Sequence, residues 1–297
     1  MQIGLADPVK QYHAIKDEVD AAIQDVMESG AFILGPQVRV LESEIARPLF
    51  LIVAVFVLWD VTIRIFRIPP YLIPAPWDVA KMLVAEWPRL WRESLFTAYA
   101  TLGGFGLSIL LGIPIAMVIA YSRLVESFVY PLLVFSQSIP KIAIAPLFVV
   151  WFGFGIFPKV ISAFLLGFFP VVVATVMGFK SIETDMIDLA RSMRASRWQM
   201  FLKFSLPQAL PSIFSGLKIS ATLAVVGAVV GEFVGSNSGI GYVLQIANGN
   251  FDLPLMFAAL FVLSMMGVIL FALVDLTEKL LIPWHQSRRG EAIGVTA

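Results

Sequence analysis

Few of these 297 residues could carry covalent chemistry. Cysteine is absent, so the chain can build no thiolate nucleophile, thiolate metal site or disulfide framework. The two histidines, His13 and His285, stand too far apart for a zinc-binding H-E-x-x-H pair. No Gly-Lys dipeptide occurs, so no phosphate-cradling P-loop can be written. Acids inside apolar segments are the usual mark of proton or sodium coupling. Here Asp60 alone falls within an expected span, with Glu232 and Asp275 at span ends. No catalytic, cofactor-binding or metal-binding set emerges, and the chain is not expected to be an enzyme.

The spacing that is informative suits contact rather than reaction. In the segment from Lys180 to Lys203, Thr184 or Asp185 can cap a short helix. Met186, Leu189, Ala190 and Met193 then give it one apolar face, flanked by Arg191, Arg194 and Arg197. Ser196 can cap a second helix through Trp198 and Phe201, ending at Leu206-Pro207. Such a hairpin either docks a partner or lies on lipid headgroups. Further along, Gly216, Ser220, Ala224, Gly227 and Gly231 form a small-residue stripe. It can wall a translocation path at a dimer axis or pack a neighbouring helix of the same chain. Glu232 reads as an outer-gate hydrogen-bonding group or a solvated carboxylate. Lys218 and Lys141 can snorkel, and Lys141, between Pro140 and Pro146, is the candidate to meet an anionic substrate.

These residues sit on elements that a bilayer must hold. Hydrophobic residues make up 59% and charged residues 14%, about half the charged share of ordinary soluble domains. Lys+Arg and Asp+Glu both number 21, so no polyanion-binding excess exists and no nucleic-acid partner is expected. Runs with few charges predict six spans of about 20 residues: Pro48 to Phe66, Ser94 to Ser122, a third within Ser127 to Phe157, Val160 to Phe179, Phe204 to Gly231 and Leu253 to Val274. The third is interrupted by Pro140, Lys141 and Pro146. The fold class expected is all-α and polytopic. With both termini inside, 13 Lys and Arg residues fall on the inner side against 6 on the outer, Lys159 among the six. Trp77, Trp87 and Trp91, with the basic residues around them, suggest a helix lying in the outer interface. "VGSNSGIGYV", after Glu232, has the composition of a loop or re-entrant segment.

The stretch "DLARSMRASRWQMFLKFSLPQALPSIFSGLKIS" resembles the cytoplasmic EAA loop of binding-protein-dependent ABC importer permeases. Asp188-Leu189-Ala190 fills the E-A-A positions and Leu206-Pro207 closes the pattern, while Arg194 stands where the family usually has Gly. If that turn needs a positive φ, Arg194 strains it by roughly 1–3 kcal/mol. The wider likeness, from about Pro48 to Arg289, takes in "SIPKIAIAPLFVVWFGFG" and "GAVVGEFVGSNSGIGYV". It points to the branch carrying nitrate, sulfonate, taurine, pyrimidine precursors of thiamine or riboflavin, with the span-five wording leaning to the last two. The resemblance implies that Asp188 to Arg197, Ala195 included, is a coupling helix seated on a separate cytoplasmic ATPase. It also implies a second copy of the chain, an extracytoplasmic solute-binding protein and a bacterial inner-membrane location. An ion-coupled secondary transporter is the alternative.

Residues 5–46 resemble the N-terminus of DegT/StrS-type PLP sugar aminotransferases, but the cofactor-binding core of such an enzyme has no counterpart in the rest of the chain. They are read as a soluble appendage without that activity (a fusion, a mis-started frame or a regulatory cap). Residues 47–297 form the transmembrane domain.

Overall fold

The computed structural model describes residues 16, 20, 36–69, 72–182, 186 and 192–282, and within 36–49 and at 197 only the backbone. The chain divides into two units, Met1–Ile68 and Pro69–Ala297. The first contains α1, Pro36–Phe66. This single helix crosses residue 46, where the sequence suggested a boundary, and its second half carries the first expected span. Asp60 is paired one turn along with Arg64 at 2.6 Å, so the one acid expected inside a span is ion-paired.

The described residues of the second unit form helices joined by short turns, with no strand among them. A ten-residue helix α2, Pro76–Ala85, precedes α3, Trp87–Tyr121. Ser122 caps α4, Arg123–Ser138, its Oγ accepting from the Val125 amide at 3.3 Å. Pro140 then breaks the chain, and α5, Lys141–Phe152, leaves at 93° to α4. The third expected span is therefore not a straight rod but a broken or re-entrant pair. The physical reason is Pro140, which has no amide hydrogen to carry the α4 ladder onward. Gly153 and Gly155, both at positive φ, then turn the chain into α6, Ile156–Lys180.

Residues Trp198–Gly235 make one 38-residue helical rod. It takes in the short α7, Arg197–Met200, from its second residue, then a π turn over Phe201–Ser205, and α8, Leu206–Gly235. The sequence predicted that the α7 helix would stop at Leu206-Pro207. Instead the rod runs on through Pro207, and the π turn over Phe201–Ser205 stands just before the residue whose amide is missing. Helix α9, Ile240–Gly249, begins in the last four residues of the segment read as a loop or re-entrant element, and α10, Leu253–Leu281, closes the described chain. Asp252 caps α10 by accepting from the Leu255 amide at 3.1 Å.

Four helices (α3, α6, the α7–α8 rod and α10) are long and apolar enough to cross a membrane, and the bent α4–α5 pair makes a fifth if counted as one span. This is an all-α polytopic membrane fold. Helix α6 is its centre, clasped by α3 on one side and antiparallel α8 on the other. A Cβ built on Gly104 of α3 would lie 2.4 Å from the Ala163 Cβ, and one on Gly227 of α8 would lie 2.6 Å from the Ala163 Cα. Side chains are missing at both points because the backbones nearly touch there. Large apolar side chains on the outside, such as Leu102, Leu110 and Val118 of α3, remain exposed, as lipid-facing positions should. On α2, Val79, Met82 and Leu83 pack against the core formed by α9 and the start of α10. Trp77 is left exposed.

Candidate coupling loop and buried polar cluster

The loop between α6 and α8 is the first candidate site. Residues 183–185 and 187–191 lie outside the described residues, so the expected helix through Asp188, Leu189, Ala190 and Arg191 does too. The second half of the hairpin is well defined. Ser196 Oγ accepts from the Gln199 amide at 3.2 Å, while Gln199 Oε1 accepts from the Ser196 amide at 2.9 Å. This reciprocal capping box starts α7 where the sequence placed it. Rings then fasten the element to the bundle. Trp198 stacks on Phe201 at 5.7 Å between centroids, and Phe201 stacks on Phe179 of α6 at 6.0 Å. Phe179 in turn meets Tyr121, the last residue of α3, at 5.8 Å. Each such pair contributes about 0.5–1.5 kcal/mol.

Arg194 has φ +55°, in the left-handed region. A side chain there costs about 1–2 kcal/mol, so the turn before α7 is strained at the position expected from the sequence. Arg194→Gly is expected to relieve about 1 kcal/mol of this. The check is amide hydrogen exchange across residues 192–200, which should slow severalfold; faster exchange would mean that the guanidinium makes a compensating contact. Arg194 is exposed, Ala195 half-buried, and Leu206 packs against the core. A cavity of about 410 Å³ beside the loop is lined by Met186, Lys203, Phe204 and Pro207, among others.

At the opposite end of α8 lies a polar cluster that sequence reasoning largely missed. Glu232 is 0% exposed. Its carboxylate accepts from Thr97 Oγ1 of α3 at 2.9 and 3.1 Å and from the Gly241 amide at 2.7 Å. Lys159 Nζ of α6, in a residue 5% exposed, stands 3.9 Å away. Glu93 accepts from the Gly239 amide at 2.8 Å, and Thr97 Oγ1 accepts from the Ile240 amide at 2.8 Å. Three successive amides at the start of α9 are thus met by two carboxylates and a hydroxyl from other helices. The helix dipole favours negative charge at that end. Gly239, at φ +105°, and Gly241 leave room for the carboxylate; a Cβ on either would meet Glu232 atoms at 2.1 and 2.7 Å. The solvated-carboxylate reading of Glu232 is corrected, because its side chain is enclosed and bonded to Thr97 and Gly241 of its own chain. Lys159, placed among outer loop charges, is instead a core residue.

Three other sequence candidates also find partners. Lys218 does not snorkel; it ion-pairs with Asp275 and, at 2.5 Å, with Glu278 of α10. Lys141 donates to Gln137 Oε1 at 2.7 Å across the α4–α5 bend and lies 5.9 Å from the Phe169 ring centre. Gly216, Ser220, Ala224, Gly227 and Gly231 are buried, and the three glycines and Ser220 face α6 in close approach. Of the two readings of this stripe, the geometry at these residues is that of packing within the chain.

Residues 108–284, more than half of the chain, match the family of binding-protein-dependent transport system inner membrane components. The chain belongs to that family. It is an ABC importer permease, a multi-pass membrane subunit of a transporter family rather than of an enzyme family. The permease is 39% identical to the formylaminopyrimidine transport permease ThiX of Halalkalibacterium halodurans, over 81% of this chain and 96% of that relative. It is 37% identical to the riboflavin transport system permease RibX of Chloroflexus aurantiacus, over 78% and 87%. It is 29% identical to the putative aliphatic sulfonates permease SsuC of Bacillus subtilis, over 82% and 88%. An inward-facing structure of the MetNI methionine ABC transporter is similar at a TM-score of 0.53 and 21% identity, covering 65% of the permease and 94% of that chain. At that identity the likeness shows the fold alone. The matched span begins in α3 and takes in the clasp on α6, the loop and Glu232; Glu93, Thr97 and Gly104 of the permease lie before it.

Proposed function

We propose that the permease forms, as a homodimer, the translocation path of an importer energised by two copies of a separate cytoplasmic ATPase and supplied by an extracytoplasmic binding protein. Its single most supportive feature is the rod Trp198–Gly235. The rod starts beside the loop that resembles an EAA element and ends three residues past Glu232, so a push at one end reaches the other through one helix. On this reading Asp188 to Arg197 is the coupling helix, with Arg191, Arg194 and Arg197 available as ion-pair donors to the ATPase. The loop faces the cytoplasm, as do both termini, and the Glu232 cluster lies toward the outer face. Gly216, Gly227, Gly231 and their neighbours then transmit the rod's motion to α6, while Lys141 lies at the bend nearer the path.

For the substrate, identity to the formylaminopyrimidine and riboflavin permeases exceeds identity to the sulfonate permease. The proposed solute is accordingly a thiamine pyrimidine precursor, with riboflavin second and nitrate, sulfonate or taurine after them.

Native mass spectrometry of the tagged protein, mildly extracted from its own membranes, tests the assembly. The expected particle holds two copies of this chain and two of a P-loop ATPase, and its subunit mass reports whether residues 1–46 are present. A chain that arrives alone, with uptake that follows an ion gradient, would instead establish a secondary transporter.

A further inference from the structure

Beside the Glu232 cluster is a cavity of about 380 Å³, lined by Phe96, Phe154, Lys159, Ser236, Asn237 and Ser238, among others. Its size is that of a small-molecule pocket, and its make-up is typical of one: apolar walls with a few placed polar groups. Phe96 and Phe154 leave much of their rings exposed at its wall. Lys159 has three N–H donors. Two are engaged by Ser238, at 2.8 Å to its carbonyl and 3.1 Å to its hydroxyl. The nearest carboxylate, Glu232, lies beyond hydrogen-bond distance at 3.9 Å. One ammonium donor is therefore left for an acceptor in the cavity. Asn237 is exposed, and its amide makes no hydrogen bond among the described residues.

Charge narrows the class of ligand. Lys159 is a cation with Glu232 beside it, and Glu93, close by on the Gly239 amide, is ion-paired with Arg92 at 3.1 Å, so the four charges cancel. The local sum does not favour an anion, and a sulfonate held by Lys159 would be repelled by the enclosed Glu232 carboxylate 3.9 Å from the ammonium. A neutral acceptor takes the free N–H without that repulsion, and flat rings suit the two phenylalanines.

We infer that this cavity is a solute subsite of the permease for an uncharged heteroaromatic ring bearing a carbonyl or ring-nitrogen acceptor, with Lys159 and Asn237 as its specificity-determining residues. The inference rests on the importer reading and sharpens its substrate class.

The test is saturation-transfer NMR titration of the purified permease in lipid nanodiscs, with its co-purifying subunits. The probes are a formyl-substituted aminopyrimidine and taurine. The pyrimidine should bind and taurine should not compete with it. Lys159→Gln should weaken pyrimidine binding about tenfold, the loss expected for a charged donor. Asn237→Ala, at an exposed residue outside the buried network, should fold normally and weaken it about threefold to tenfold. Absence of pyrimidine binding, competition by taurine, or undiminished binding by folded Asn237→Ala would overturn the subsite. ATPase-driven uptake without binding here sinks the subsite and spares the importer; binding here by a chain that never assembles with an ATPase does the reverse.

Discussion

Glu232→Ala is expected to destabilise the permease by about 3–5 kcal/mol, the cost of removing one partner from a buried ion pair. The groups left behind set the size of the effect. Thr97 Oγ1 and the Gly241 amide lose their acceptor, and Lys159 stays buried with its nearest carboxylate gone. Water cannot easily take over, since Glu232 is wholly enclosed. The consequence reaches beyond the carboxylate, because α9 depends on this cluster for the partners of its first amides. Glu232→Gln should lose less, as its amide oxygen can still accept from Gly241. Fluorescence-detected size-exclusion after heating should show a fall of about 10 °C for the alanine variant, and a clearly smaller one for glutamine. A drop of under about 2 °C for alanine would mean that the cluster is open to water.

The second large effect lies at Ala163. Gly227→Ala would place a methyl group 2.5 Å from the Ser162 carbonyl oxygen and 2.6 Å from the Ala163 Cα. Gly104→Ala would place one 2.6 Å from the Phe164 nitrogen on the other side of α6. These are backbone atoms, so no rotamer change relieves the clash and the helices must part. Each substitution should cost about 1–3 kcal/mol or more, and the pair should not add, since both press on one residue. Gly106, two positions from Gly104, meets nothing within 4 Å. Gly106→Ala should therefore raise stability by about 0.5–1 kcal/mol through helix propensity alone. The three thermal midpoints decide it: Gly227→Ala no worse than Gly106→Ala would show that α8 does not approach α6 this closely.

Much of the architecture was legible in the sequence, and the physical reason is locality. A bilayer selects long apolar runs whatever they pack against. The runs Ser94 to Ser122, Val160 to Phe179 and Leu253 to Val274 accordingly became α3, α6 and α10. The Ser196 cap was readable because both its partners lie within one turn. So was the strain at Arg194, which is a property of one residue's backbone. The scarcity of reactive side chains and the importer family were also readable from the chain alone.

Features that depend on packing were not legible in this way. Pro140 announced an interruption, but its 93° angle could not be read from the sequence, because a missing amide marks where a helix breaks and not the direction in which the chain leaves. The sequence "VGSNSGIGYV" reads as a loop or re-entrant segment because the groups that start its helix are not in it. Glu93 and Thr97 come from α3 and Glu232 from α8, and only the tertiary structure brings them to the amides of 239–241. Lys159 and Glu232 each read as a charge near a membrane surface, for burial and pairing depend on partners far along the chain. The stripe of small residues on α8 signalled close approach, yet only the fold decided that the approaching helix is α6 of the same chain.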